Sequence, residues 1–189
     1  MQLVQCGDRR VASFDPDTGR ELWTVSGPSE EFVATPVYSE KAGLVFASSS
    51  WPKTALVAIK PDGNGDVTQT HVVWRDTKGA PYVPSMLVAG DWLLTVNNSG
   101  TAYCYEAATG KVLWQEKLGR THASPVLAGG RVFFINDDGK VNVITPGATF
   151  QRVAQYDLGE PCYASPAISD GQVFLRGFKH LFCVGQRIQ

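Results

Sequence analysis

A tryptophan-centred block returns along this 189-residue chain at intervals of about 40 residues. It reads FDPDTGRELWTV at Phe14–Val25 and YEAATGKVLWQE at Tyr105–Glu116. A companion block, Ala-Ser/Thr-Pro before an apolar run, recurs at Ala34-Thr35-Pro36, Ala123-Ser124-Pro125 and Ala164-Ser165-Pro166, with Val83-Pro84-Ser85 as a variant. Trp74 to Trp114 is 40 residues, Ser85 to Ser124 is 39 and Ser124 to Ser165 is 41. Trp23 to Trp74 is 51, because an insertion lies between them. A period near 40 with several short strands in each unit describes the blades of a β-propeller.

Local patterning agrees with that period. Helical periodicity is absent, and short β-branched and aromatic runs alternate with Gly, Asp and Asn turns. The 19 Gly and 11 Pro suit many tight turns. The clearest unit predicts strands at Pro84–Ala89, Trp92–Asn97, Thr101–Glu106 and Val112–Leu118. The next predicts Ala123–Ala128, Arg131–Asn136, Lys140–Thr145 and Arg152–Leu158. The fold class is therefore all-β, a propeller of four-stranded antiparallel blades. Residues 1–26 form an incomplete blade, 32–76, 82–119 and 122–159 are whole blades, and 162–185 is incomplete. About four to five blades of a seven- or eight-bladed ring are accounted for. The expectation is the C-terminal part of a larger ring, whose open faces favour self-association. A self-closing ring with Leu22–Val25 completing the last sheet is the alternative.

The repeated residues have a structural reason. One indole per unit fills the wedge between neighbouring sheets, removing roughly 200 Å² from water. Trp23, Trp74 and Trp114 take this role, and Gly19 and Gly110 make the corner that aims the strand. Ala154 stands where the next Trp is due, so Phe150 or Tyr156 is expected to fill that wedge. Cys104 and Cys183 occupy matching places, and buried thiols are expected there.

The pattern D-x-x-T-G-x-x-x-W at Asp15–Trp23, with its variant at Glu106–Trp114, resembles the PQQ-like repeat of quinoprotein-type propellers. The stretch Gly65–Trp74, the repeated Ser-Pro blocks and the ending Arg176–Gly185 resemble a bacterial branch of that family. Its members are PQQ-binding-like propellers similar to the lipoprotein propeller of the outer-membrane β-barrel assembly machine. The resemblance implies a non-catalytic scaffold for protein or ligand binding in the periplasm or cell envelope. It also implies an alternative, a PQQ- and calcium-dependent dehydrogenase. That reading is disfavoured because the adjacent cysteine pair typical of such enzymes is missing from this sequence.

Other chemistry is sparse. A net charge of −1 argues against a broad electrostatic surface for nucleic acid or anionic lipid. No run approaches the 18–20 apolar residues of a membrane helix, and Met1–Arg10 lacks the pattern of a signal peptide. Asp62, Asn64 and Asp66 have calcium-loop spacing, but Val67 and Val73 fall where Gly and Glu are needed. His71, His122 and His180 share no metal-ligand spacing, and no metal or cofactor is expected. Ser124 beside His122 recurs as Ser85 and Ser165, which argues against a catalytic nucleophile. The candidate binding residues are Tyr82, Arg120, His122 and Tyr163, with Glu31 and Phe32 beside them, at the starts of the innermost strands. There they form the rim of a central channel. The partner is expected to be a protein of unknown identity.

Overall fold

The structure is a computed structural model that describes residues 1–27 and 29–185. The first sheet holds β1 (Leu3–Gly7), β2 (Arg10–Phe14) and β3 (Glu21–Ser26). The second is built from β4 (Val37–Ser39), β5 (Leu44–Ser49), β6 (Ala55–Ile59) and β8 (Val72–Asp76), while β7 (Gly65–Asp66) leaves it to join the first. The third sheet runs β9 (Leu87–Ala89), β10 (Trp92–Val96), β11 (Thr101–Glu106) and β12 (Val112–Lys117). The fourth runs β13 (Val126–Ala128), β14 (Arg131–Ile135), β15 (Lys140–Thr145) and β16 (Gln151–Asp157). Among the described residues the fifth has three strands, β17 (Ala167–Ser169), β18 (Gln172–Arg176) and β19 (Leu181–Val184). No helix occurs among the described residues, so none is long and apolar enough to cross a membrane.

Each sheet presses one face on the next. Val11, Trp23 and Val25 meet Ala47, Val57 and Ile59 between the first and second. Phe46, Leu56 and Ala58 meet Leu93, Tyr103 and Tyr105 between the second and third. Leu94, Ala102 and Cys104 meet Val132, Phe134 and Ile144 between the third and fourth. Val141 and Val143 meet Leu175 between the fourth and fifth. Inner strands β4, β9 and β13 approach one another, so the sheets converge on that side. This is the fan of a β-propeller.

The indoles do what the repeat implies. Trp23 Nε1 donates to Pro61 O at 3.1 Å, Trp74 Nε1 to Ala107 O at 3.0 Å and Trp114 Nε1 to Gly147 O at 2.9 Å. In each case the carbonyl belongs to the connection after the third strand of the following sheet. Trp74 also stacks on Tyr105, with ring centroids 5.8 Å apart, and lies against Gly110. The corner is fixed from within. Asp15 Oδ1 accepts from the N–H groups of Asp17 and Thr18, and Thr109 Oγ1 donates to Glu106 Oε2. Those backbone bonds hold the Asp15 carboxyl below the usual carboxylate range. The contribution of this turn is present above the unfolded-state value and is lost as pH falls through the lowered one.

The Ser of the Ala-Ser-Pro block links sheets. Ser85 Oγ accepts from Thr35 N at 3.1 Å, Ser124 Oγ from Ser85 N at 2.9 Å and Ser165 Oγ from Ser124 N at 2.9 Å. A relay of hydroxyls thus ties the second to the fifth sheet along the inner edge. Because these residues bond between sheets, the innermost strands are shorter than the sequence pattern predicts, Leu87–Ala89 and Val126–Ala128. Ser124→Ala leaves the Ser85 N–H without its acceptor and is expected to cost about 1–2 kcal/mol. Urea unfolding monitored by circular dichroism measures it.

Four expectations are corrected. Leu22–Val25 does not complete the last sheet, because β3 is paired on one side with β2 and on the other with β7 in parallel. The insertion ending in Gly65-Asp66 thereby reaches back to the preceding sheet. Neither candidate fills the wedge at Ala154: Phe150 packs edge-on against Trp114 at 5.2 Å, one interface away, and Tyr156 is exposed. Cys183 is exposed although Cys104 is buried, because among the described residues no sheet packs on its side of the fifth sheet. Phe32 packs against the core between the first and second sheets and leaves the rim.

Candidate functional site

The rim lies where the inner strands begin and where the turns between second and third strands end. The connection Asp76–Tyr82 enters it under several constraints. Tyr105 Oη donates to Asp76 Oδ2 at 2.5 Å, and Gly79 N–H donates to the same oxygen at 3.1 Å. Burial raises the Asp76 carboxyl, but these bonds outweigh it and hold it below its ordinary value. Thr95 Oγ1 donates to Gly79 O, Ser48 Oγ to Pro81 O and Ser50 Oγ to Ala80 O. Tyr82 is therefore delivered by a fixed backbone. Its N–H donates to Asn98 Oδ1 at 3.3 Å, and its hydroxyl to Glu31 Oε2 at 2.6 Å. That bond to the Glu31 carboxylate raises the Tyr82 phenol above its usual value.

The fourth sheet repeats the device with a different side chain. Asp137 Oδ1 accepts from His122 N–H at 3.0 Å, as Asn98 does from Tyr82. The His122 ring nitrogen Nδ1 lies 3.1 and 3.0 Å from the two oxygens of Asp137. Arg120 Nε stands 3.7 Å from Asp137 Oδ2, with its side chain 73% exposed. Thr121 Oγ1 donates to Ile135 O at 2.6 Å and accepts from Ala123 N at 2.9 Å, which fixes the loop carrying these groups. Tyr82, Arg120 and His122 line one cavity of about 370 Å³ together with Val83, Asn98 and Thr121. Tyr163 joins through His122, their rings edge to face at 5.8 Å. The structure thus brings all four sequence-selected residues together, and Glu31 with them.

Three rim residues were not singled out from sequence. Trp51 lies in the turn after β5, bridges to Glu31 through the backbone and is 58% exposed. Phe178 lies in the turn after β18 and is 69% exposed. Asp137 orders His122. A signal for Trp51 existed, since it is a Trp outside the repeated position and before Pro52. Beside Phe178, Glu160 accepts from Lys179 and His180 N–H groups and meets His180 Nδ1 at 2.9 Å, fixing the turn.

The calcium-loop candidates are engaged locally. Asp66 Oδ1 accepts from Thr68 N and Oγ1, and Asp62 lies 3.5 Å from His71 Nε2. Among the described residues no group of three or more His, Cys, Asp or Glu converges. The rim carboxylates Glu31, Asp137 and Glu160 each already hold a neighbouring donor, and Cys104 and Cys162 are buried singly. Burial pushes the Cys104 thiol up to about 12.

The family model described as outer membrane protein assembly factor BamB matches residues 7–149. The chain belongs to this family. Among solved structures, BamB from Moraxella catarrhalis is similar, with a TM-score of 0.75 at 16% identity over 97% of this chain and 54% of that one. The computationally designed Ika8 protein is similar at a TM-score of 0.67 and 14% identity, over 97% of this chain and 57% of that one. A chain of the mitotic checkpoint complex gives 0.76 and 14%, over 98% and 57%. At these identities the likeness shows the fold. This BamB-family chain spans about half the length of those structures. No curated protein matches it.

Proposed function

We propose that this chain is a non-catalytic propeller scaffold of the bacterial cell envelope that binds a protein partner through the rim. One observation carries the reading: a set of aromatic side chains, Trp51, Tyr82, Tyr163 and Phe178, gathered at one end of the fan and interleaved with the polar pairs Glu31–Tyr82 and His122–Asp137. Aromatic anchors surrounded by satisfied polar groups are the composition of a protein-binding hot spot. The polar partners hold the rings in place before contact, which lowers the ordering cost of association. The match to the BamB family supports an envelope location and a protein as the partner.

Tyr82→Ala and His122→Ala test it. Each is expected to weaken binding to the isolated partner by about 2 kcal/mol, roughly 30-fold, with the fold unchanged by circular dichroism. Affinity equal to the wild type for both variants rejects the rim. Adding PQQ and calcium, then assaying dye-linked alcohol oxidation, tests the dehydrogenase alternative. The scaffold reading expects neither retained quinone absorbance nor turnover.

A further inference from the structure

Beside the rim cavity, the second and third sheets leave a separate cleft of about 200 Å³ between them. Three segments wall it. The turn after β5 brings Ser50 and Thr54, the connection after β8 brings Thr77 and Lys78, and the turn after β10 brings Asn98 and Ser99. The walls are tied to one another. Ser50 Oγ donates to Ala80 O at 3.2 Å, Asn97 Nδ2 to Lys78 O at 3.0 Å and Ser99 Oγ to Asn97 Oδ1 at 2.8 Å. Asn98 Oδ1 accepts from Tyr82 N–H.

These bonds leave a set of unengaged polar groups around one space. Among the described residues, the Thr54 and Thr77 hydroxyls, Asn98 Nδ2 and Lys78 Nζ make no bond to protein. Ser50 and Ser99 keep acceptor lone pairs on Oγ after donating. No carboxylate and no large apolar side chain lines the cleft. The carboxylate nearest in sequence, Asp76, is already held by Tyr105 Oη and Gly79 N–H. A matching ligand must therefore donate and accept repeatedly, and must bring a negative charge to Lys78. An apolar side chain would leave all these groups desolvated and unpaired. A bare anion would leave the serine acceptors unused. A hydroxylated ring that carries a carboxylate satisfies both demands.

We infer that this cleft binds an acidic saccharide unit, with its carboxylate on Lys78 and its hydroxyls shared among Thr54, Thr77, Asn98 and the two serines. The walls are fixed before the ligand arrives, so little ordering opposes association. Trp51, in the same turn as Ser50 and Thr54 and 58% exposed, offers an indole face to the C–H side of a neighbouring ring. The cleft shares only Asn98 with the rim cavity, so it stands whether or not a protein binds there.

The test titrates the full chain with a galacturonic acid dimer and follows backbone and side-chain amides by NMR. Saturable shifts are expected at Thr77, Lys78 and the Asn98 side-chain amide. The neutral galactose dimer has the hydroxyls without the carboxylates and is expected to bind roughly tenfold more weakly. Acetate, the carboxylate alone, is expected to give no saturable shift. Thr77→Val and Lys78→Met break no side-chain bond within the protein. Each is expected to weaken the acidic dimer roughly tenfold while the melting temperature holds. Asn98→Asp keeps the acceptor for Tyr82 N–H, puts a carboxylate oxygen in place of Nδ2, and is expected to abolish binding. No saturable shift with the acidic dimer overturns the proposal, as does equal affinity for the neutral dimer or for acetate. Wild-type affinity in both Thr77→Val and Lys78→Met overturns it as well.

Discussion

Trp23→Ala will lower the unfolding free energy by about 3–5 kcal/mol, the cost of emptying a large core site. The indole is fully buried, lies between the first two sheets, and donates to both Gln2 Oε1 and Pro61 O. Its loss removes the apolar contacts with Ala47, Val57 and Ile59 and leaves the Pro61 carbonyl without that donor. The Pro61 connection leads to β7, which pairs with β3 at Trp23↔Gly65 and Thr24↔Asp66. Loosening therefore extends to that parallel pair, and amide exchange at Asp66 and Val67 should quicken together. Guanidinium unfolding of the wild type and variant gives the magnitude. A change below about 1 kcal/mol would mean that the indole is not a wedge.

Gly110→Ala is expected to cost roughly 2–4 kcal/mol, while Gly19→Ala costs about 1–2 kcal/mol. Both glycines end the same Thr-Gly corner with nearly equal φ, +73° at Gly110 and +71° at Gly19. The left-handed backbone penalises a side chain equally at both. The difference lies in what a Cβ would meet. At Gly110 it would stand 2.6 Å from the Trp74 ring, and at Gly19 nothing lies within 4 Å. The pair of variants therefore separates backbone strain from the indole contact, since only the excess at Gly110 reports on the wedge. Equal melting temperatures for the two would remove the contact from the account.

The residues that repeat were the ones legible in the sequence. Trp23, Trp74 and Trp114 recur because each interface has the same wedge to fill, and Thr-Gly recurs because each indole needs the same corner. The Ser of Ala-Ser-Pro also repeated, but its role depends on the distance between neighbouring inner strands, which no spacing within one repeat reveals. The β7 pairing was hidden for a related reason. Two residues of a Gly-rich connection carry no strand pattern, and their partner lies 42 residues upstream at Trp23 and Thr24. At the rim, Tyr82, His122 and Tyr163 were legible from their place at the strand starts. Glu31 found Tyr82 across 51 residues and two sheets, which only the converging fold arranges. Trp51 and Phe178 stayed unseen because they sit in turns whose lengths differ between sheets. Ala154 was legible as a departure from the repeat. Its consequence, a wedge that neither Phe150 nor Tyr156 fills, was not.

Hydrogen exchange of the five indole N–H groups, followed by NMR, addresses the wedged fan most directly. The indoles of Trp23, Trp74 and Trp114, bound to the carbonyls of Pro61, Ala107 and Gly147, should exchange only through opening between sheets and survive for hours. Trp51, exposed on the rim, should exchange at once. If the three repeat indoles exchange as fast as Trp51, they are not the pillars between the sheets, and the architecture drawn from them is wrong.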